Sequence, residues 1–295
     1  MKVLKHGAVT IAQSNLKDTQ AAYDAQKKYS KDDECVFNKY IYKALSDELQ
    51  GVAPDSDIKK WQKVSVSNEW ACFDYFLNTI SKANDEIDIV FHADGAKGIY
   101  LNNVLANTLL IEVLNTSAEI LERAEYKLFE INSDILSWKS YFFGAWRVEN
   151  RPKSVFYECT TLSNQRIFRV RASRAGGEVQ IGSIIVGDIK ELETTLYADN
   201  SISMIDFSKV TTDEDGFTQL VKGNYKRTNA FKILVDNANL DYVAYELTQL
   251  RGEACVFVIA TNYECLINFA FLKTHEILLE KRDKTIVEIE IEGMV

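Results

Sequence analysis

The stretch RIFRVRAS, residues 166–173, places Phe168, Val170 and Ala172 on one side of an extended chain and Arg169 and Arg171 on the other. Successive side chains of a strand point to opposite faces, so this alternation predicts a strand with one face in a core and one in water. The same period recurs in EIDIVFHA (86–93), where Ile87, Ile89 and Phe91 oppose Asp88 and His92. It recurs again in TIVEIEIEG (285–293), where Val287, Ile289 and Ile291 oppose Glu288, Glu290 and Glu292. Working outward, GIYLNNVLANTLLIEVLN (98–115) reads as two or more strands broken at Asn102 and Asn103. RAGGEVQIG (174–182) reads as a hairpin turn at Gly176 and Gly177. Many short strands with polar breaks predict a β-sandwich over residues 67–194. The segment TSAEILERAEYKLFE (116–130) also fits helical spacing and is left open.

The last third differs. In NLDYVAYELTQLRG (239–252), Leu240, Val243, Ala244, Leu247 and Leu250 form one helical stripe, with Asn239 as N-cap and Gly252 as stop. Strands are expected at ACVFVIA and LINFAFLK, and FTQLVKGNYKR and AFKILVD are expected to pair around Asn229. Residues 195–295 thus read as an α+β unit, a helix on a sheet. Residues 31–66 read as a small strand module: ECVFNKYIYKAL, a loop at Gly51 and Pro54, then WQKVSVS. Residues 1–30 are polar enough to read as an arm or a short helix begun at Ser14 or Asn15. The expected fold class is mainly β with an α+β C-terminal unit.

The chain has 295 residues, 46% of them hydrophobic and 26% charged, which is globular composition with ample core material. A net charge of −9 disfavours a generic nucleic-acid coat, because phosphate binding wants a basic surface. No apolar run is long enough for a membrane-spanning helix, and no signal peptide is read at the start. Cys35, Cys72, Cys159, Cys255 and Cys265 are odd in number and never spaced as CxxC, so they read as reduced, mostly buried thiols of a cytoplasmic product.

No catalytic motif is present. His6, His92 and His275 are scattered, and THEILLEK lacks the second histidine of HExxH. His92 and Asp94 suit a strand end and turn better than a metal site. RAGGEVQIG lacks the lysine and helix of a phosphate loop. KDDE (31–34) and TTDEDG (211–216) lack the ligand alternation of an EF-hand and read as solvated turns. No enzyme activity, cofactor or metal is expected. The remaining feature is aromatic: Tyr29, Tyr40, Tyr42 and Trp61 within one small unit, either its core or a surface for stacking sugar rings.

The stretch from Tyr23 to Val64 resembles the small chitin-type carbohydrate-binding modules through Tyr29, Asp33, Val36, Tyr40, Tyr42, Pro54 and Trp61. Where those modules often carry two adjacent tryptophans, this chain has Trp61 alone. Further strings, SNEWACFDYF (67–76), WKSYFFGAW (138–146), VGDIKELETTLY (186–197), IDFSKVTTDEDGF (205–217) and IEIEGMV (289–295), resemble in content and order a family of tailed-phage virion proteins. The resemblance implies a structural subunit of a phage tail, made in the bacterial host's cytoplasm and carried in the virion as a ring, collar, tail-tip or baseplate component. Its implied partners are other tail proteins and copies of itself, with neither membrane insertion nor specific nucleic acid. It also implies an alternative, recognition of host-surface polysaccharide by the 31–66 module through Tyr40, Tyr42 and Trp61. Glu288, Glu290 and Glu292, with Arg169 and Arg171, are either contact faces between such subunits or ordinary solvated strand faces.

Overall fold

A computed structural model describes residues 1–74, 76, 78–132, 138–143, 147–149, 153–161, 166–198, 200–212, 215–279 and 283–294. Gly144 to Trp146 of WKSYFFGAW, Asp213 and Glu214 of the acidic turn, Tyr75 and Val295 therefore lie outside the described residues.

The chain begins with β1 (Lys2–His6) and β2 (Thr10–Ser14). The small unit is β3 (Glu34–Phe37), β4 (Tyr40–Ala44) and β5 (Trp61–Val66). After a 3-10 turn at Ala71–Phe73 come β6 (Ser81–His92), β7 (Gly98–Val104), β8 (Thr108–Leu114) and β9 (Ile120–Lys127). A two-stranded pair, β10 (Glu130–Asn132) and β11 (Arg147–Glu149), flanks the short helix α1 (Trp138–Phe143). Then follow β12 (Lys153–Glu158), β13 (Ile167–Ile181), β14 (Ser183–Glu191) and β15 (Thr194–Thr195). The last part holds β16 (Ser201–Asp206), β17 (Lys209–Thr212), β18 (Thr218–Val221), β19 (Tyr225–Asp236), α2 (Leu240–Gln249), β20 (Ala254–Val258), β21 (Ile267–Leu278) and β22 (Lys284–Gly293).

The fold is mainly β, with α2 packed on a sheet, as the alternating stretches predict. A ten-stranded sheet runs β12-β7-β14-β1-β20-β21-β22-β19-β15, with β16 also on β19, and a five-stranded sheet runs β2-β6-β13-β8-β9. The register puts Val3, Val186 and Phe257 on one face of the large sheet, and Leu4, Ile185 and Val256 on the other. On the first face, the five-stranded sheet covers one end. Ile87, Ile89, Phe91, Phe168, Val170 and Ala172 meet Ile99, Leu101, Ile184 and Val186 there, all fully buried. α2 covers the other end, laying Val243, Leu247 and Leu250 on Phe231, Ile233, Val287 and Ile289. On the opposite face Leu4, Tyr100, Ile185, Val256 and Phe269 form a separate cluster.

Several expectations are corrected. Residues 1–30 hold neither an arm nor a helix: β1 is a central strand between β14 and β20, and β2 pairs with β6. Val3 and Leu4 are both fully buried, one on each face, so β1 lacks the alternation that marks a half-buried strand. The boundary expected between 194 and 195 is crossed by the large sheet, which takes strands from both sides of it. RAGGEVQIG is not a hairpin turn. β13 runs straight through it and bulges between Arg174 and Glu178, with Gly176 at φ +70° and the facing Asp85 at φ +66°.

β19 likewise runs through Asn229 without turning. This side chain is buried and accepts a 3.1 Å hydrogen bond from Asn268 Nδ2. β7 continues through Asn102 and Asn103 to Val104, and Asn103 takes φ +55°. The open segment 116–130 contains strand β9. Asn239 does not cap α2 with its side chain but donates to Glu193 Oε1 at 2.6 Å. Gly252, at φ +78°, follows the helix as expected.

Candidate functional site

Trp61 lies inside the small unit. It is 1% exposed, its Nε1–H donates to the Val52 carbonyl at 3.1 Å, and its ring meets Tyr29 edge-on at 5.2 Å. Tyr29, Cys35, Ala44 and Leu49 complete that core. A unit this small has few other apolar groups to bury, so the largest aromatic goes inside. Of the two readings of these aromatics, Trp61 takes the core one and is not available to stack on a sugar. Tyr40 and Tyr42 are half-buried and meet edge-on at 6.5 Å. Lys63 Nζ sits 3.1 Å over the Tyr40 ring.

The two charged stripes lie on different sheets and are answered within the chain. Arg169 donates to both carboxylate oxygens of Asp88, at 2.9 and 2.6 Å, and Arg171 Nη2 donates to the same group at 3.1 Å. Glu288 pairs with Lys232 at 2.7 Å, Glu290 with Lys273 at 2.8 Å, and Glu292 with Lys226.

The Arg169 hydrogen bond, with Arg171 behind it, holds the Asp88 carboxyl below its ordinary range against the opposing effect of burial. A depressed carboxyl pKa contributes stability above its ordinary value of 3.8, and this is lost as pH falls through the lower folded value. Asp88→Asn is expected to cost on the order of 1 kcal/mol at pH 6 and progressively less below pH 3.8. Urea unfolding across that range measures it; a penalty independent of pH would refute this role for Asp88.

Where the small unit meets the sandwich, a cleft of about 540 Å³ opens. The β1–β2 turn at 6–9 forms one wall. Lys39, Tyr40 and Val66 of the small unit form another, and Trp70, Phe73 and Asp74 form the floor. Lys39 Nζ lies 3.6 Å over the Trp70 ring, and Trp70 meets Phe73, which packs on the core ring of Phe91 at 5.2 Å. Burial pushes the Asp74 carboxyl up, opposed by hydrogen bonds from Thr79 Oγ1 at 2.6 Å and Phe76 N at 3.0 Å. Asn68 fixes the approach to this turn. Its Nδ2 donates to the carbonyls of Lys17 and Lys82, at 3.0 and 2.8 Å, and its Oδ1 accepts from Lys82 N at 2.8 Å. Of the residues proposed from sequence for ligand contact, only Tyr40 lines the cleft. Trp70, Phe73 and Asp74 were visible only as part of the string SNEWACFDYF, with no sign of what they would face.

A second feature projects from the opposite part of the chain. Every residue of β16, β17 and β18 is exposed. β16 is held only by β19, and β17 and β18 pair only with each other among the described residues. Met204, Val210, Phe217 and Leu220 are each more than 60% exposed. The base is fixed in direction: Asp206 Oδ1 accepts from Ser208 N at 2.8 Å and from Ser208 Oγ at 2.6 Å. Ser208 Oγ in turn accepts from Gly223 N at 3.0 Å. Any Cβ at Gly223 would fall 2.4 Å from the Phe207 carbonyl oxygen, so the two legs of the arm approach as only glycine permits. The string IDFSK supplies one leg of this base.

All five cysteines are free thiols, three of them buried. Among the described residues no three His, Cys, Asp or Glu side chains gather as metal ligands. Compared with protein-family models and with curated proteins, the chain matches none of them.

Proposed function

We propose that this chain is a structural subunit of a bacteriophage tail, built into a ring, collar, tip or baseplate by contacts with copies of itself and with neighbouring tail proteins. The exposed β-arm carries this reading. A two-stranded hairpin is marginal alone in water, and contiguous apolar side chains on a surface mark an interaction site. Met204, Val210, Phe217 and Leu220 are side chains that association would bury. The resemblance of the ordered strings to tailed-phage virion proteins supplies the tail context.

Cryo-electron microscopy of virions carrying the protein tests the reading. The expected result is a symmetric assembly in which the arm is covered by a neighbour. Absence of the protein from the particle, or an arm left in solvent there, would overturn it. The alternative, glycan recognition by the 31–66 unit, keeps Tyr40 and Tyr42 at the surface but loses Trp61 to the core.

A further inference from the structure

A second concavity, of about 600 Å³, opens where the base of the β17–β18 arm meets one end of the large sheet. Its size falls within the roughly 300–1,000 Å³ of small-molecule sites. Tyr225 and Arg227 of β19, with Lys222 and Asn224 before them, supply one side. Asn102 and Asn103 of β7 and Ser154 of β12 supply another. Tyr100, Ile267 and Phe269 add apolar surface and belong to the separate cluster on this face of the sheet.

Part of this lining is fixed in place. Ser154 Oγ donates to Asn102 Oδ1 at 2.8 Å and accepts from the Tyr100 hydroxyl, and Ser154 N donates to Glu264 Oε1 at 2.8 Å. Asn103 takes φ +55°, a sparsely populated conformation of the kind that collects at ligand sites. A Cβ at Gly182 would fall 2.7 Å from Asn103 Cβ, so that glycine leaves the room in which Asn103 sits. The rest of the lining is uncommitted. Among the described residues the side chains of Asn103, Asn224 and Arg227 make no hydrogen bond, and neither Arg227 nor Lys222 has a carboxylate within 4.0 Å. The neighbouring cations Lys226, Lys232 and Lys273 are each answered by a glutamate. Glu264 is the one carboxylate in the lining, so Lys222 and Arg227 leave one positive charge in excess.

Three chemistries converge there. Amide side chains carry donor and acceptor side by side, which suits adjacent hydroxyls. Tyr225, 53% exposed, offers a flat apolar face to the C–H side of a sugar ring. A guanidinium without a partner matches a carboxylate in its fork. A pyranose ring carrying one carboxylate uses all three and cancels the excess charge. We infer that this cavity binds an acidic saccharide, a hexuronate-type unit whose ring lies on Tyr225, whose hydroxyls reach Asn103 and Asn224 and whose carboxylate meets Arg227. The site is separate from the 31–66 unit, and it stands whether or not the chain is a tail subunit.

Saturation-transfer NMR and calorimetry on the full chain test the site. The probes are trigalacturonic acid, a hyaluronan tetrasaccharide and N-acetylneuraminic acid, with maltotriose as a neutral sugar and citrate as a carboxylate without a ring. The expected result is saturable binding of an acidic probe, with transfer to its ring protons and an affinity about 10-fold or more above those of maltotriose and citrate. Arg227→Gln and Tyr225→Ser are each expected to weaken that binding about 10-fold or more without moving the thermal transition, since both side chains are exposed. Tyr225→Phe, which keeps the ring, is expected to retain it. No saturable binding of any acidic probe would overturn the inference, as would maltotriose or citrate bound as tightly. Binding kept by Arg227→Gln but lost in Tyr40→Ala would place glycan recognition in the 31–66 unit and overturn this site.

Discussion

Trp61→Ala is expected to unfold the small three-stranded unit while the sandwich keeps its structure. The indole is the largest group in a core of five buried residues, and it is the one that Tyr23 and Tyr29 both meet edge-on. Truncating a buried aromatic to alanine costs about 3–5 kcal/mol. The change also leaves the Val52 carbonyl without the indole N–H that it accepts from. A unit of this size has little stability in reserve, because small cores bury a small share of their surface. The sandwich core shares none of these side chains; it is built on Phe91, Phe168 and their neighbours. Hydrogen exchange resolves the two regions. Amides of β3, β4 and β5 should lose protection in the variant, and those of β6 and β13 should keep it. Equal loss in both regions would show that the unit does not fold separately, and unchanged protection would show that Trp61 is not its keystone.

Gly187→Ala is expected to destabilise the whole large sheet by about 3 kcal/mol, at the upper end of what overpacking costs. A Cβ at this position would fall 1.9 Å from the Lys5 carbonyl oxygen and 2.8 Å from the Gly7 nitrogen. Both are backbone atoms of the neighbouring chain segment, so no side chain can swing aside. Gly187 pairs with His6 on one flank and Gly98 on the other, and its carbonyl accepts from Lys97 N at 2.7 Å. Relief therefore requires β1 to move off β14. Differential scanning calorimetry should show the main transition lowered by several degrees. Exchange at Val3 and Leu4 should speed up before that at β21 and β22. A transition within a degree of wild type would mean that the β1–β14 crossing tolerates a side chain.

The strands that sequence revealed are those with one wet face. Ile87, Ile89 and Phe91, or Val287, Ile289 and Ile291, alternate with residues that keep part of their surface in water, most of them polar or charged. β1 shows no such period, since its neighbours on both sides and both faces are protein, and consecutive apolar residues then serve equally. Glycine and asparagine misled for a related reason. Gly176, Asn103 and Asn229 are residues that turns favour, but here they serve a bulge, a left-handed kink and a buried amide pair inside continuous strands. Composition identifies what a residue permits; only its cross-strand partner decides the use. The cleft was beyond reach for another reason. Its walls come from positions near 6, 40 and 70, and nothing local to any of the three announces the others. Of the arm only the polar turn at TTDEDG was legible; FTQLV was expected to pair with AFKILVD, whereas β18 pairs with β17, a partner set by the sheet topology.

The position of β1 dictates an order of events as the chain leaves the ribosome. Lys2–His6 is made well before its two flanking strands, β14 and β20. One of its edges therefore waits until residue 191 has been synthesised and the other until residue 258. Throughout that interval an apolar strand with unsatisfied peptide groups is held open, and late, long-range pairing of this kind is slow. The small unit, whose strands all fall between residues 34 and 66, has no such wait. Nascent chains are thus expected to mature from an early-formed compact unit to a late-closing sheet. A chain stalled before residue 254 would present one bare edge of β1 to chaperones and to its neighbours on the polysome.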